Sequence, residues 1–406
     1  MIVKKHPAVI KVCLVLASLL LGISLVELTC RLLGFDLEQN AASLKAIPIF
    51  YRQPTEPVGE VFFRRPGPDL WKGNVLGVAY DRLAGRRYNP YLNEPEITVA
   101  YDRQGFRNPE DLTDWDIAVV GDSFTELGFL PFDDLFTTKL GKLLGVRVKN
   151  LGASSTSTLT QTFYLKEYGI SRSTRQSILI FFEGNDIEEI QEEANRLEQF
   201  KATGIRPSRN IQKQTSFLKL IYHVARNTYL KVRREFARNA DVYYISTTGE
   251  TLITLEHTPP GRDKLTSKQM ELLDASLSQY ANTARTFGLT PWLVYMPSKL
   301  RATSCCLRFP EGTNPRFVNW QPTNLPELVE ELAAKHGVKF IDVTPALIEG
   351  ARSGVLTFNG LWDTHLNREG SHIVAGAIAE ALIREADHRR SVPTNAPGNS
   401  FKPSPR

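Results

Sequence analysis

Four short blocks of small and polar residues carry the chemical potential of this chain. Gly121-Asp122-Ser123-Phe124-Thr125 places a hydroxyl directly after the aliphatic run Ile117–Val120. Asn150-Leu151-Gly152-Ala153-Ser154 and Glu183-Gly184-Asn185-Asp186 end two further apolar runs, and Trp362-Asp363-Thr364-His365-Leu366-Asn367 stands just before a last stretch of helical period. A serine hydroxyl is a poor nucleophile until a base takes its proton; imidazole suits that task near neutral pH, and a carboxylate fixes its tautomer and stabilises the cation that forms. Ser123, His365 and Asp363 supply those parts. The developing oxyanion needs preorganised donors, for which the backbone N–H groups of Ser123 and Gly152 and the side-chain amide of Asn185 are the candidates. Each block alone has a plainer reading. A Gly-Asp-Ser turn also caps helices, Asn185 can cap a loop, and Asp363 can do the same while a backbone carbonyl or another acid orients His365. His372, one turn into the last helix, is the alternative base. Asp122 reads as structural, bonded within its own turn, and Trp292 and Trp362 read as core or pocket wall.

The elements that must position these blocks follow from periodicity. Short, nearly all-apolar runs at Ile117–Val120, Val146–Asn150, Ile178–Phe182, Trp292–Met296 and Lys339–Val343 have the composition of strands buried on both faces. They alternate with helical stretches: Asp134–Leu144, Thr266–Phe287 and about Arg368–Ala386, the last with Asn367 as N-cap and Glu369 favourable in its first turn. That alternation predicts an α/β domain with a parallel sheet covered on both faces. The three polar blocks after the first three strands then share one sheet edge, where open α/β sheets bind ligands. Residues 187–261 are an insertion between the third and fourth strands: a charged helix to about Lys201, a basic helix around Phe217–Arg238, and a hairpin through Val242–Leu255 turning at Thr248-Gly249. The basic helix reads first as a solvated face and second as a contact for lipid head groups or an anionic polymer.

In their order and content the four blocks resemble the SGNH/GDSL-type hydrolases. The resemblance covers about Ile117–Arg384 and implies a flavodoxin-like three-layer fold with a five-stranded parallel sheet and a serine hydrolase acting on esters, without a cofactor. It places Ser123 as nucleophile, Gly152 and Asn185 in the oxyanion hole, and Asp363 and His365 in the rest of the triad. Upstream, Tyr101-Asp102-Arg103-Gln104-Gly105-Phe106-Arg107-Asn108 looks like the lead-in of membrane-anchored bacterial members. Two departures stand out. Glu183 occupies the place two residues before the Asn where the family usually has Gly, so that its carboxylate either alters the oxyanion pocket or points away. The Asp and His are spaced D-x-H rather than D-x-x-H, which is similar to the alginate O-acetyltransferase group, although there the pair precedes the Ser.

Composition and the ends of the chain set the context. With 406 residues, 42% hydrophobic and 23% charged, the chain is globular rather than fibrous or disordered, and a net charge of +5 is too dilute to imply nucleic acid. Val12–Val26 carries no charge, and the apolar segment extends to about Ala8–Leu33, enough for the ~20 residues of a membrane-spanning helix. No small-x-small site for signal cleavage follows it, and Lys4, Lys5 and Lys11 place the N-terminus in the cytoplasm. The expected organisation is a stub and anchor over 1–34, an irregular juxtamembrane region over 35–115, the catalytic domain over 116–390 and a disordered tail over 391–406. A periplasmic or extracytoplasmic domain on such an anchor suits a cell-envelope or exported glycan, with its ester hydrolysed or its acyl group moved; a small ester is the minimal substrate, and an acyl donor partner in the membrane is compatible. The rivals are a lipid or lysophospholipid esterase and a non-catalytic glycan-binding or assembly protein. No metal is expected, since no Cys or His has a ligand-spaced partner, and the adjacent Cys305 and Cys306 read as two loop thiols.

Overall fold

The computed structural model describes residues 56–73, 97–206, 240–360 and 364–391, together with single helical positions between Lys11 and Thr29. The basic helix expected around Phe217–Arg238, most of the apolar N-terminal segment and the tail beyond Ser391 lie outside the described residues. Among the described residues, no helix is long and apolar enough to cross a membrane.

The chain enters through two antiparallel pairs, β1 (Glu56–Val58) with β2 (Phe62–Arg64) and β3 (Asp69–Gly73) with β4 (Ile97–Tyr101). Then comes β5 (Ile117–Gly121), a one-turn helix α1 (Ser123–Glu126), α2 (Phe136–Leu144), β6 (Val148–Gly152) and α3 (Thr158–Tyr168). They are followed by β7 (Gln176–Phe182), α4 (Asp186–Thr203) and the hairpin β8 (Ala240–Ser246) and β9 (Gly249–Leu255). After these come α5 (Ser267–Thr286), β10 (Thr290–Met296), α6 (Lys299–Thr303), β11 (Leu307–Arg308) and α7 (Pro315–Val318). The chain closes with α8 (Leu325–Lys335), β12 (Lys339–Asp342), α9 (Thr344–Arg352) and α10 (Arg368–Ser391).

Five of these strands form one all-parallel sheet in the order β12-β10-β7-β5-β6. Numbered by appearance within the sheet, that order is 2-1-3-4-5, doubly wound, with its reversal between β5 and β7. Alternate residues explain the two cores. Val119, Ile178, Ile180, Val294 and Ile341 face α2 and α10, burying Phe136, Leu140, Val374 and Ile378. Val120, Leu179, Phe181, Leu293 and Tyr295 face α3, α4, α5 and α8 through Tyr164, Ile190, Leu277 and Leu328. Such two-faced burial demands the near-continuous apolar strands that the sequence shows. The insertion hairpin joins β11 in a separate antiparallel sheet, order β11-β8-β9, with its own small core of Val242, Tyr244, Ile253 and Leu300. Next to it the thiols of Cys305 and Cys306 lie 2.7 Å apart, the first exposed.

Candidate active site

β5 delivers Ser123 to the switch point. Asp122 makes the turn by accepting from the Phe124 N–H at 2.8 Å, which caps α1. As the first helical residue, Ser123 has a backbone N–H without an intrahelical acceptor. The helix stops after one turn because Leu127 adopts the left-handed conformation, φ 41°. That backbone is costly for a side chain other than glycine. Arg107 holds it there, donating from Nη1 to the Leu127 carbonyl at 3.0 Å and from Nη2 to the Leu130 carbonyl at 2.7 Å.

His365 comes from 242 residues further along and places its Nε2 2.7 Å from Ser123 Oγ, within reach of direct proton transfer. The contact of Ser123 Oγ with Asp122 Oδ2, at 3.4 Å, is longer and weaker. The imidazole packs on Phe124, ring centroids 4.7 Å apart, and on Phe129 at 5.6 Å. Its loop is tied down by a short ladder: Asn359 N–H donates to the His365 carbonyl at 2.8 Å, and Phe358 bridges to Leu366. Beneath the ladder, the buried ammonium of Lys299 donates to the carbonyls of Thr254 (2.9 Å), Asn359 (2.6 Å) and Gly360 (3.1 Å). Asn367 caps α10 through Gly370 N–H at 2.9 Å, as its position suggests. The alternative base His372 is an exposed residue of α10 and Trp292 is core, so it is His365 that meets the serine. Asp363 and Trp362 lie outside the described residues.

Gly152 closes β6 beside β5, paired with Gly121. Its N–H donates to Asn150 Oδ1 at 2.8 Å, so it is already engaged within its own block rather than free for an oxyanion. The requirement for glycine is steric: a Cβ here would lie 2.3 Å from the Glu126 nitrogen and 2.5 Å from the Thr125 carbonyl carbon. A side chain would push α1 off the sheet. Asn185 is the N-cap residue of α4, and its Nδ2 donates to Glu189 Oε1 at 2.8 Å.

The unusual Glu183 points away from this pocket. Its carboxylate accepts from Tyr295 O–H, from Ser298 N–H and O–H at 2.8 Å each, and from Arg301 Nε at 2.7 Å. It ties the end of β7 to the start of α6. Gly184 must then pass under two rings, since a Cβ would meet Phe182 Cε1 at 2.3 Å and His257 Cγ at 2.9 Å.

Two residues packed around these blocks escape sequence reasoning. His257, from the loop after β9, lies edge-on to Phe182 at 5.4 Å, and Phe182 stacks on Phe124 at 3.8 Å. Nothing in Glu256-His257-Thr258 announces that placement. Glu189 is the other, and there the i,i+4 spacing from Asn185 was a usable signal. Electrostatically the floor of the site is acidic and buried. Burial pushes the Asp122 carboxyl up to about 6, against the pull of Phe124 N–H and His365. Burial, then the negative neighbours Asp122 and Glu189, raises Asp186 well above the usual range. Glu189 is raised for the same reasons, burial first and then Asp122 and Glu193. Burial, reinforced by nearby His365, lowers His257 to about 4.

No protein-family model and no curated protein matches the chain. Solved structures similar to it include a member of the lipolytic protein G-D-S-L family from Veillonella parvula (14% identity, 66% of this chain and 98% of that one, TM-score 0.35). Another is an acetylxylan esterase from Geobacillus stearothermophilus (12% identity, 66% and 93%, TM-score 0.33). A G-D-S-L lipolytic protein from Desulfitobacterium hafniense is alike at 10% identity, 65% and 98% coverage and TM-score 0.34. At such identities and scores these are likenesses only.

Proposed function

We propose that this protein is a serine esterase or O-acyltransferase that works through an acyl-Ser123 intermediate. The observation that carries the reading is the 2.7 Å contact of Ser123 Oγ with His365 Nε2 at the reversal point of a parallel sheet. His365 takes the Ser123 proton as Oγ attacks the ester carbonyl. The oxyanion is met by the Ser123 N–H and the Asn185 amide, and His365 returns the proton to the departing alkoxide. Water, or a sugar hydroxyl, then attacks the acyl-serine by the same route in reverse. Asp363 is the acid for orienting His365.

The substrate is an ester on a cell-envelope or exported glycan, presented to a domain held outside the membrane by the apolar N-terminal segment. Supporting that placement, Leu14, Val15, Leu21, Leu25 and Leu28 are helical and each more than half exposed.

The test uses the full chain in membranes. A fluorophosphonate should label wild type and not Ser123→Ala, and p-nitrophenyl acetate turnover should fall at least ~10³-fold in Ser123→Ala and in His365→Ala. Unchanged turnover in Ser123→Ala would sink the enzyme reading. Acetyl transfer to an oligosaccharide, followed by mass spectrometry, separates transfer from hydrolysis, and lysophospholipid hydrolysis without activity on acetylated glycan would move the substrate to lipid. Extraction of the chain by alkaline carbonate would overturn the anchor.

A further inference from the structure

An amide side chain has two N–H donors on one planar nitrogen, so fixing one fixes the direction of the other. In Asn185 one of them is taken by Glu189 Oε1 at 2.8 Å, one helical turn further along α4. We propose that Glu189 is a positioning residue for the reaction: by holding one amide proton of Asn185 it presents the second to the oxyanion formed at Ser123. The inference rests on the acyl-serine reading and adds to it a residue that never touches substrate.

The surroundings of Glu189 suit that task and define its charge. A neighbour on the same helix, Glu193, shows how this protein satisfies a buried carboxylate. Glu193 accepts from Ser157 N–H at 3.1 Å, Thr160 N–H at 3.0 Å and Thr160 O–H at 2.6 Å, with Arg196 at 3.6 Å. Glu189 has nothing comparable: its Oε2 is buried without a hydrogen-bond partner, as is Asp186 Oδ1. Asp122 from the nucleophile turn, and Glu192 and Glu193 from its own helix, each add negative charge near Glu189. Asp186 lies beside it and feels its charge. These carboxylates do not converge as the ligands of a cation do. A buried carboxylate among acids, with an oxygen unpartnered, is stable only with a proton on it. In that form Glu189 still accepts from Asn185 through Oε1 and sets no negative charge beside the developing oxyanion. Ionised, it would oppose the charge that Asn185 stabilises.

Isosteric substitution separates this role from simple packing. Glu189→Gln keeps the carbonyl acceptor and the neutral charge and should hold kcat within ~3-fold of wild type. Glu189→Leu keeps the bulk, loses the acceptor, and should lower kcat ~10- to 100-fold with KM little changed, approaching the ~10²–10³-fold loss of an oxyanion donor. Combined with Asn185→Ala it should cost nothing further, because the two act as one unit. Wild-type kcat in Glu189→Leu, or full additivity with Asn185→Ala, overturns the proposal, and a large loss in Glu189→Gln overturns the neutral form. If Glu189→Leu does not fold, Glu189→Asp withdraws the acceptor by one methylene and reads the same way. Ser123→Ala is the companion control: if it retains turnover the acyl-serine reading has failed, whereas a dead Ser123→Ala with a normal Glu189→Leu condemns Glu189 alone.

Discussion

Asp122 has two jobs that conflict electrostatically. Its carboxylate caps α1 and so shapes the nucleophile turn, yet complete burial raises it from 3.8 to about 6. The folded state therefore binds this proton more tightly than the unfolded chain. Between about pH 4 and 6 the native state carries more protons, so stability falls as pH rises through that window, by up to roughly 3 kcal/mol for a shift of about two units. Above pH 6 that stability is fully lost. Asp122→Asn keeps an oxygen to accept from Phe124 N–H and removes the titration. It should flatten the loss between pH 4 and 6 and raise stability at pH 7, measured by urea unfolding across that range. An unchanged pH slope in Asp122→Asn would show that the loss lies elsewhere. The Glu126 carboxylate, four residues on, is equally buried and has its pKa lowered instead, because Arg65 and three hydrogen-bond donors compensate its desolvation. The residue type alone would not distinguish the two.

Pairs that join distant strands are where elements acquire their angle. Glu183 at the end of β7 and Arg301 in α6 form a fully buried ion pair at 2.7 Å, and Arg301 continues to Thr323 through Nη1 at 3.1 Å and Nη2 at 2.7 Å. Arg301→Met leaves the Glu183 charge without its counter-ion and should destabilise by about 3–5 kcal/mol in chemical denaturation. The double variant Glu183→Gln with Arg301→Met should recover much of that loss; no recovery would mean that the arginine matters only for packing. Lys299→Met acts on the next element. It removes the donor shared by the Thr254, Asn359 and Gly360 carbonyls, so the ladder behind His365 loosens, and kcat should fall at least ~10-fold with KM little changed. Periodicity made the sheet readable: the runs beginning at Ile117, Ile178 and Trp292 lie within observed strands, and the one beginning at Lys339 overruns its strand only by Val343, because burial on both faces leaves no polar alternation to confuse them. β6 is displaced by two residues, running from Val148 to Gly152, since it is an edge strand and its end is set by the glycine that packs against α1 rather than by apolar content. The pairing of Ser123 with His365 was legible because chemistry restricts residue type. The Glu183–Arg301 pair and the Lys299 anchorage were not, because their partners are joined only by folding.

At the scale of the whole molecule, the region before β5 is tied into the sheet domain by buried polar groups. Arg65, on the segment after β2, donates Nε to Glu126 at 2.6 Å, and Tyr101 at the end of β4 donates its hydroxyl to the same oxygen. The other Glu126 oxygen accepts from Ser154 N–H at 2.6 Å and Ser154 O–H at 2.5 Å, so one carboxylate joins the entry region, the nucleophile helix and the loop after β6. Lys149 and Asn108 converge on Asp102, both at 3.0 Å, fixing the same region to the edge strand. Every one of these groups is buried or nearly so, and removal of a single partner leaves a charge that water cannot reach. Arg65→Met should therefore cost about 3–5 kcal/mol and lower turnover as well, because Glu126 is three residues from Ser123. Arg64→Met, its neighbour on the partly exposed pair with Glu56, should cost at most ~1 kcal/mol. Parallel thermal melts and p-nitrophenyl acetate assays of the two variants measure the contrast. Equal behaviour would mean that the entry region only rests on the domain; a selective loss in Arg65→Met makes the reach from β2 to the nucleophile turn part of the active site's own framework.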